Sequence, residues 1–508
     1  MHIHYNTNQT TLPLEISSLL PQDHLVFTIE KVVNALEDRH FHAFYHYFGR
    51  PSYHPKMLLA ALLFAYSQGV FSGRKIEKMM IENIAMQYLT GQLVVSYRTI
   101  NRFRVATGME NLIRDLFIDL NFRLKMEELV TLECLFIDGT KIEANANKYS
   151  FVWKKATDKF SAKLQKQIQA YFQEEITPLI HQAIVLDEEE PITSEQLTEF
   201  TQVLEEELAK LSQDIEETPV KGRDERKTQR RKLKKVLRKV KDDFSIRAEK
   251  YERYQDTFEG RNSFSKTDTA ATFMRMKEDH MKNGQLKAGY NLQIATENQF
   301  VLHYDIFSNP TDTKTLLPLL ETYPHDVKTV VADAGYGSEE NLLRLDENEV
   351  DHLIKYAMFD KEQKKKYKQS ARNLANWYYD DKEDSYTHPD GWCYRFHHVK
   401  HQKTQTDFQQ EIKVYYADEP ELAPQKGLYI NERYQHLKAK ECQALLSPEG
   451  RQIFAQRKID VEPVFGQIKA CLGYKRCNLR GKRQVTIDMG LVLMANNLLK
   501  YNKRTTQN

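Results

Sequence analysis

The spacing of apolar residues changes several times along the chain, and each change predicts a different kind of element. Residues 1–130 read as helical. Pro55 suits a first helical turn, and the apolar run MLLAALLFAYSQGVF that follows predicts a buried helix. Ser72 stands where a cap belongs, ahead of RKIEKMMIENIAMQYL, whose apolar positions recur at three and four residues until Gly91 stops them. YRTINRFR predicts a third, short helix carrying Arg98, Arg102 and Arg104. Short helices ending in a basic one fit either a helix-turn-helix-like DNA reader or a bundle with an exposed arginine face.

The texture then turns to strands and back. ECLFIDGT is a short apolar strand ending at Asp138 and Gly139. From 155 to 250 the pattern is that of long amphipathic helices, with Leu164, Ile168 and Phe172 four apart, and likewise Leu204 and Leu208. Leu233, Val236, Leu237 and Val240 continue it, and Pro191 and Pro219 divide the stretch into three helices of an inserted hairpin or small bundle. AGYNLQIAT and QFVLHYDIF flank a predicted hairpin turn at Glu297-Asn298. A helix over Thr311–Tyr323, a strand ending at Asp333, a helix capped by Ser338 and a strand at His352–Tyr356 follow. That order predicts an α/β sheet with helices on its faces. In residues 360–450, Trp377, Tyr378, Tyr379, Trp392, Tyr394 and Phe396 stand among His388, His397, His398 and Lys400. Such a β-rich segment is either the core of a small subdomain or a surface for nucleic acid. Helices over Ile459–Cys471 and Val485–Tyr501 close the chain, and no internal repeat is visible.

Composition refines this picture modestly. With 508 residues, two to four domains are expected. A net charge of +2 neither requires nor excludes nucleic acid, but the charge is uneven. Residues 187–217 are acidic, beginning with Asp187-Glu188-Glu189-Glu190, whereas 221–241 hold twelve Lys or Arg. The basic block is either a solvated helix face or a phosphate-contacting surface. The cysteines (Cys134, Cys393, Cys442, Cys471, Cys477) form no CxxC pair, so they read as reduced thiols and not as a zinc site. MHIHYNTNQTTLPLEI lacks the basic and apolar regions of a signal peptide, and the longest apolar stretch, Met57–Tyr66, is far short of the roughly 20 residues that span a bilayer. The expected location is the cytoplasm, with the chromosome within reach and no membrane partner.

The candidate chemistry sits at strand ends. FIDG and VVADAGYG each set an aspartate, Asp138 and Asp333, just past a buried strand. Active sites of open α/β sheets gather there, although Asp before Gly is also a common turn. In VEPVFGQIK, Glu462 and Lys469 are seven apart and share one helix face. A carboxylate and a lysine aimed the same way suit a metal and a phosphate, though an exposed Glu–Lys pair usually means only solvation. Pro463 predicts that Glu462 stands near its helix start.

FIDGTKIEANANKY, GYNLQIAT, VVADAGYG and VEPVFGQIK, in this order, resemble the DDE-type transposases of bacterial insertion sequences. HPKMLLAALLFAYSQGVFSGRKIE and YRTINRFR resemble the helical N-terminal domain of those enzymes, and the likeness covers most of residues 40–500. It implies a ribonuclease-H-like α/β core with a helical N-terminal domain and helical and β-rich insertions. The expected domains are a DNA-binding 1–130, a core in pieces 131–150, 256–359 and 451–508, a helical insertion 151–255 and a β-rich insertion 360–450. The resemblance further implies Asp138, Asp333 and Glu462 as an acidic triad holding two Mg²⁺ (or Mn²⁺) ions, with Lys469 on a phosphate near the scissile bond. Lys141 is a second candidate for that phosphate, and Asp268 and Asp312 are structural or supporting acids. Many relatives carry Tyr and Arg before the Glu; here position 455 is Ala beside Phe454, and 458 is Lys beside Arg457. Arg98, Arg102, Arg104, Lys141, Arg457, Lys458, Lys475, Arg476 and Arg480 are the expected DNA contacts. The implied activity is metal-dependent cleavage of element ends and joining to target DNA, with double-stranded DNA as partner and a dimer in the complex. A nuclease that does not join and a non-catalytic DNA-binding remnant are the alternatives.

Overall fold

A computed structural model describes residues 15–45, 52–179, 191–276 and 284–506. The acidic run 187–190 and the first fourteen residues, on which two expectations rest, lie outside them. The chain divides into two compact units: residues 1–145, 275–285 and 289–508, and residues 146–274 with 286–288.

The first unit opens with helices α1 (Leu25–Ala35), α2 (Pro55–Ser67), α3 (Gly73–Glu82), α4 (Ile84–Thr90), α5 (Tyr97–Arg104) and α6 (Met109–Met126), then strand β1 (Cys134–Glu143). α2 is buried at every residue from Leu58 to Ser67, as its all-round apolar sequence requires. The periodic run after Ser72 becomes two helices instead of one. Asn83 is extended, and its side chain accepts the Met86 N–H at 2.9 Å, so an asparagine that could have continued α3 caps α4. Gly91, at φ +57°, closes α4 in the left-handed conformation.

The second unit contains β2 (Phe151–Trp153), α7 (Lys154–Tyr171), α8 (Ser194–Glu217), α9 (Glu225–Lys239), α10 (Ile246–Phe258), β3 (Ser263–Ser265) and most of β4 (Thr272–Arg275). A π turn over Val240–Ser245 joins α9 to α10, so the helices form three rods around Leu164, Ile168, Phe172, Leu204, Leu233 and Val236. The opposite charges of these rods meet where Lys241 pairs with Glu205 at 2.7 Å.

The first unit resumes with β5 (Leu286–Glu297), β6 (Phe300–Phe307), α11 (Leu316–Glu321), β7 (Thr329–Ala332), α12 (Glu339–Glu347) and β8 (Asp351–Ile354). Two short helices follow, α13 (Phe359–Glu362) and α14 (Lys365–Lys368). The sheet order is β4-β5-β1-β7-β8, with β6 also paired to β5: β5 runs antiparallel to β1 and β6, while β7 and β8 run parallel to β1. This is a ribonuclease-H-like arrangement, with β1 at its centre. The hairpin turn forms one residue later than expected: Glu297 pairs with Phe300, and Asn298 and Gln299, both at positive φ, make the turn.

A second sheet of β9 (Tyr378–Asp380), β10 (Ser385–Thr387), β11 (Cys393–Lys403), β12 (Gln409–Ala417) and β13 (Gly427–Ile430) is antiparallel throughout. Its aromatic residues divide between the two readings. Trp377 and Tyr394 form its core with Tyr415, whereas Tyr378, Tyr379 and Phe396 are exposed. The chain ends in α15 (Glu432–Leu446), α16 (Pro448–Gly466) and α17 (Lys482–Thr506). α17 is buried almost continuously from Val485 to Leu498 and packs on α1, α2, α6 and β6. No helix among the described residues is long and apolar enough to cross a membrane.

One expectation about α16 is corrected. Glu462 is not near its helix start: Ser447 caps the helix and Pro448 opens it, leaving Pro463 in the interior. A proline there strips the carbonyl four residues back of its N–H partner. That carbonyl belongs to Ile459, and Gln299 supplies a substitute donor at 2.9 Å from Nε2.

Candidate active site

Two parallel strands bring the first two acids together. β1 and β7 pair up to Ile137 and Ala332, so the next residues, Asp138 and Asp333, follow the last rung side by side. β1 itself runs on to Glu143 along β5, so Asp138 stands in mid-strand, opposite Ile294, and not at the strand end that was expected. Asp138 is buried and accepts the Gly139 N–H at 2.7 Å; Asp333 is half-buried and accepts the Gly335 N–H at 2.8 Å.

A third carboxylate joins them from the loop after β6. Asp312 Oδ1 accepts from Asn291 Nδ2 at 2.7 Å and Gln293 Nε2 at 2.9 Å. Two glycines make room for it. A Cβ on Gly139 would stand 2.2 Å from Gln293 Nε2 and 2.9 Å from Asp312 Oδ1, and one on Gly335 would meet both Asp333 Oδ1 and Asp312 Oδ2. The floor of the site is a closed polar layer: Tyr336 donates its hydroxyl to Gln293, and Asn341 bridges the Thr313 and Tyr336 carbonyls. Burial pushes the Tyr336 hydroxyl well above its usual range, and Asp312, Asp138 and Asp333 add to this while Arg457 opposes it. That phenol is thus a fixed donor holding the loops, not a titrating group.

α16 supplies the cation. Arg457 Nη1 lies 3.2 Å from Asp138 Oδ2, with about nine-tenths of both side chains buried. Its expected role as a DNA contact is therefore corrected: a buried guanidinium committed to Asp138 cannot also meet a phosphate on the surface. Arg104 is corrected for the same reason. It is 5% exposed and donates to the Tyr66 hydroxyl and the Phe71 carbonyl, with Asp488 3.8 Å away.

Glu462 is not gathered with the aspartates. It is exposed on α16 and makes no hydrogen bond or ion pair among the described residues. Arg457 and Glu462 are five residues apart, which turns them roughly 140° from one another on a regular helix. Lys469 sits in a π turn over Gln467–Cys471 and donates to the Lys141 carbonyl at 3.2 Å. Among the described residues no group of three His, Cys, Asp or Glu side chains is close enough to hold a metal ion. The donors that do converge are nevertheless all carboxylate oxygens, the kind that Mg²⁺ and Mn²⁺ prefer.

The remaining expected DNA contacts are at the surface or near it. Arg98 and Arg102 are exposed on α5, and Lys458 is exposed on α16. Lys475, Arg476 and Arg480 are exposed, although Arg476 also donates to the Ala144 carbonyl and Arg480 to that of Asn145. Lys141 is half-buried at the far end of β1. Asp268 belongs to the second unit, where it is buried.

Two family models match the chain. The Transposase DDE domain covers residues 265–498, which include Asp312, Asp333 and Glu462, and the Transposase domain (DUF772) covers residues 14–106, the helices α1 to α5. No curated protein and no solved structure matches it.

Proposed function

Since this chain belongs to the DDE-type transposases of insertion sequences, we propose that it cuts DNA at the ends of its own element and joins them to a target, using Asp138, Asp333 and Glu462. The observation that carries this reading is the pair of aspartates on adjacent parallel strands, with a polar layer beneath and an arginine behind. Asp138 and Asp333 would hold the divalent ions, and Glu462, exposed on α16, would complete their ligands from the substrate side. When bound, such ions activate the nucleophile and stabilise charge on the attacking and leaving oxygens.

The chemistry has two steps. Water attacks the phosphorus at the element end; a P–O bond forms, the bond to the 3′-oxygen breaks, and that oxygen leaves as a 3′-hydroxyl. This hydroxyl then attacks a target phosphodiester and displaces another 3′-oxygen, so bonds made and broken balance without an external energy source. Lys469 would neutralise a phosphate beside the break, and Asp312 would fix the loop that carries Asp333.

The test is cleavage of a labelled duplex containing the DNA that flanks this gene, with Mg²⁺ or Mn²⁺. Asp138→Asn, Asp333→Asn and Glu462→Gln should each abolish nicking while leaving binding of the duplex nearly intact. Full activity in any one variant would remove that residue from the triad. Binding without cleavage by the wild type would point instead to a DNA-binding remnant.

A further inference from the structure

A second surface feature lies at the C-terminal end of α16. The helix forms one wall of a groove of about 680 Å³, with Pro463 and Gln467; Gln299 contributes from the β5–β6 turn. The other wall is α17, with Asn496 and then Lys500, Lys503 and Arg504. The three cations are spaced at i, i+3 and i+4, so they share one face of the helix. No carboxylate lines the groove, and none of the three cations forms an ion pair among the described residues. Amide groups supply the other polar lining.

Compensation of the helix dipole accounts for part of this. Cations in the last turn of a helix are stabilised by the carbonyls there, and Lys503 and Arg504 stand in the last turn of α17. The effect fades beyond that turn, so it does not account for Lys500. Lys500 is half-buried, held by Gln299 Oε1 at 2.6 Å and stacked over the Phe300 ring. Burial pushes its ammonium down to about 8, Arg504 and Lys503 add to this, and buried Asp460 opposes it. Holding an ammonium beside two other cations in a partly dry groove is unfavourable on its own, and a bound anion relieves it.

We propose that this groove seats the phosphate backbone of duplex DNA alongside Glu462. Pro463, in its wall, is the residue after Glu462, so a strand lying there passes the proposed catalytic carboxylate. The proposal rests on the DNA-processing reading above and extends it to residues outside the expected DNA contacts. It identifies a backbone contact, which sets affinity and register without reading sequence.

The experiment is anisotropy titration of the full-length protein against the labelled flanking duplex over a range of salt concentrations. Each phosphate contact contributes about 0.9 to the slope of log affinity against log salt. Combining Lys500→Gln, Lys503→Gln and Arg504→Gln should make the slope shallower by about two to three, and lower affinity by at least about tenfold at 0.1 M salt. Lys503→Gln with Arg504→Gln alone touches only exposed side chains, keeps the Lys500–Gln299 bond, and should lower the slope by about one to two. Wild-type binding with unchanged slopes in both variants would overturn the groove and leave the enzyme reading intact. No duplex binding by the wild type would overturn both.

Discussion

Replacing Arg457 with methionine keeps most of the side chain's length and removes its charge. The structure sets the size of the effect. Arg457 and Asp138 are about nine-tenths buried and 3.2 Å apart, so the substitution leaves a buried carboxylate without its cation. Breaking such a pair from one side costs about 3–5 kcal/mol. The lower part of that range applies, because Asp138 keeps the Gly139 N–H at 2.7 Å. In urea, a loss of about 3 kcal/mol with a slope of about 3 kcal/mol per M moves the midpoint by about 1 M. Far-ultraviolet circular dichroism of the full chain would follow it, in the absence of divalent ions.

Magnesium supplies the sharper half of the test. Arg457 and a divalent cation compete for the same carboxylate, so removing the arginine should make Mg²⁺ the better stabiliser. An ion at a hundred times its dissociation constant adds about 2.7 kcal/mol, which would restore most of the loss in Arg457→Met and give a smaller gain in the wild type. A midpoint shift below about 0.3 M without metal, or equal Mg²⁺ effects in the two proteins, would refute the idea that Arg457 holds the place of a cation at Asp138.

Two further outcomes follow from buried ionic groups elsewhere. His352 lies between Glu441 and Asp346; burial pushes its imidazole down, but those two carboxylates outweigh it, and the net shift is upward. Its stabilising contribution is therefore complete below the ordinary histidine value of about 6.5 and is lost as pH rises through the raised folded value. Urea midpoints should fall as pH rises from the ordinary histidine value through the raised one in the wild type and stay flatter in His352→Gln; parallel curves would sink the assignment. Asp488, fully buried, accepts from the Tyr66 and Tyr474 hydroxyls and faces Arg104, which joins α2, α5 and α17. Asp488→Leu should cost about 3–5 kcal/mol by stranding Arg104, and adding Arg104→Met should recover much of it; simple additivity of the two would contradict the pairing.

How far the site was legible in the sequence depends on the range of the interactions involved. Asp138 and Asp333 are visible because each follows an unbroken apolar run, a local pattern; that β1 continues past Asp138 to Glu143 is set by its pairing with β5, which leaves no such mark. Pairing of those strands in parallel, which sets the acids side by side, is a long-range contact that leaves no local mark. Asp312 was placed among supporting acids, yet it reaches the same cluster. A signal for it existed in Asn291 and Gln293, two amides on alternate positions between the apolar Tyr290, Leu292 and Ile294, which announce a polar face beneath a site. Arg104 and Arg457 were misjudged because an arginine on an amphipathic helix reads as exposed. Only the buried partners, Asp488 in α17 and Asp138 in β1, turn them inward, and both lie hundreds of residues away. Pro463 misled in the opposite way: its place inside α16 depends on Gln299, whose side chain satisfies the carbonyl that proline leaves free.

The placement of Glu462 then follows from helix geometry. α16 must turn Arg457 towards Asp138 and bury Asp460, Val461 and Val464 against the unit's interior. A residue five positions after Arg457 lies roughly 140° round the helix, so Glu462 emerges on the flank, where Lys458 is also exposed one turn earlier. That flank leads through Pro463 into the cationic wall of Lys500, Lys503 and Arg504. The inward face of α16 thus sets the charge at Asp138, while its outward flank offers a carboxylate beside a surface suited to phosphate. One helix with two such faces can join Asp138 and Asp333 to DNA lying outside the sheet, and it explains why the third acid of the proposed triad is exposed while the first is buried.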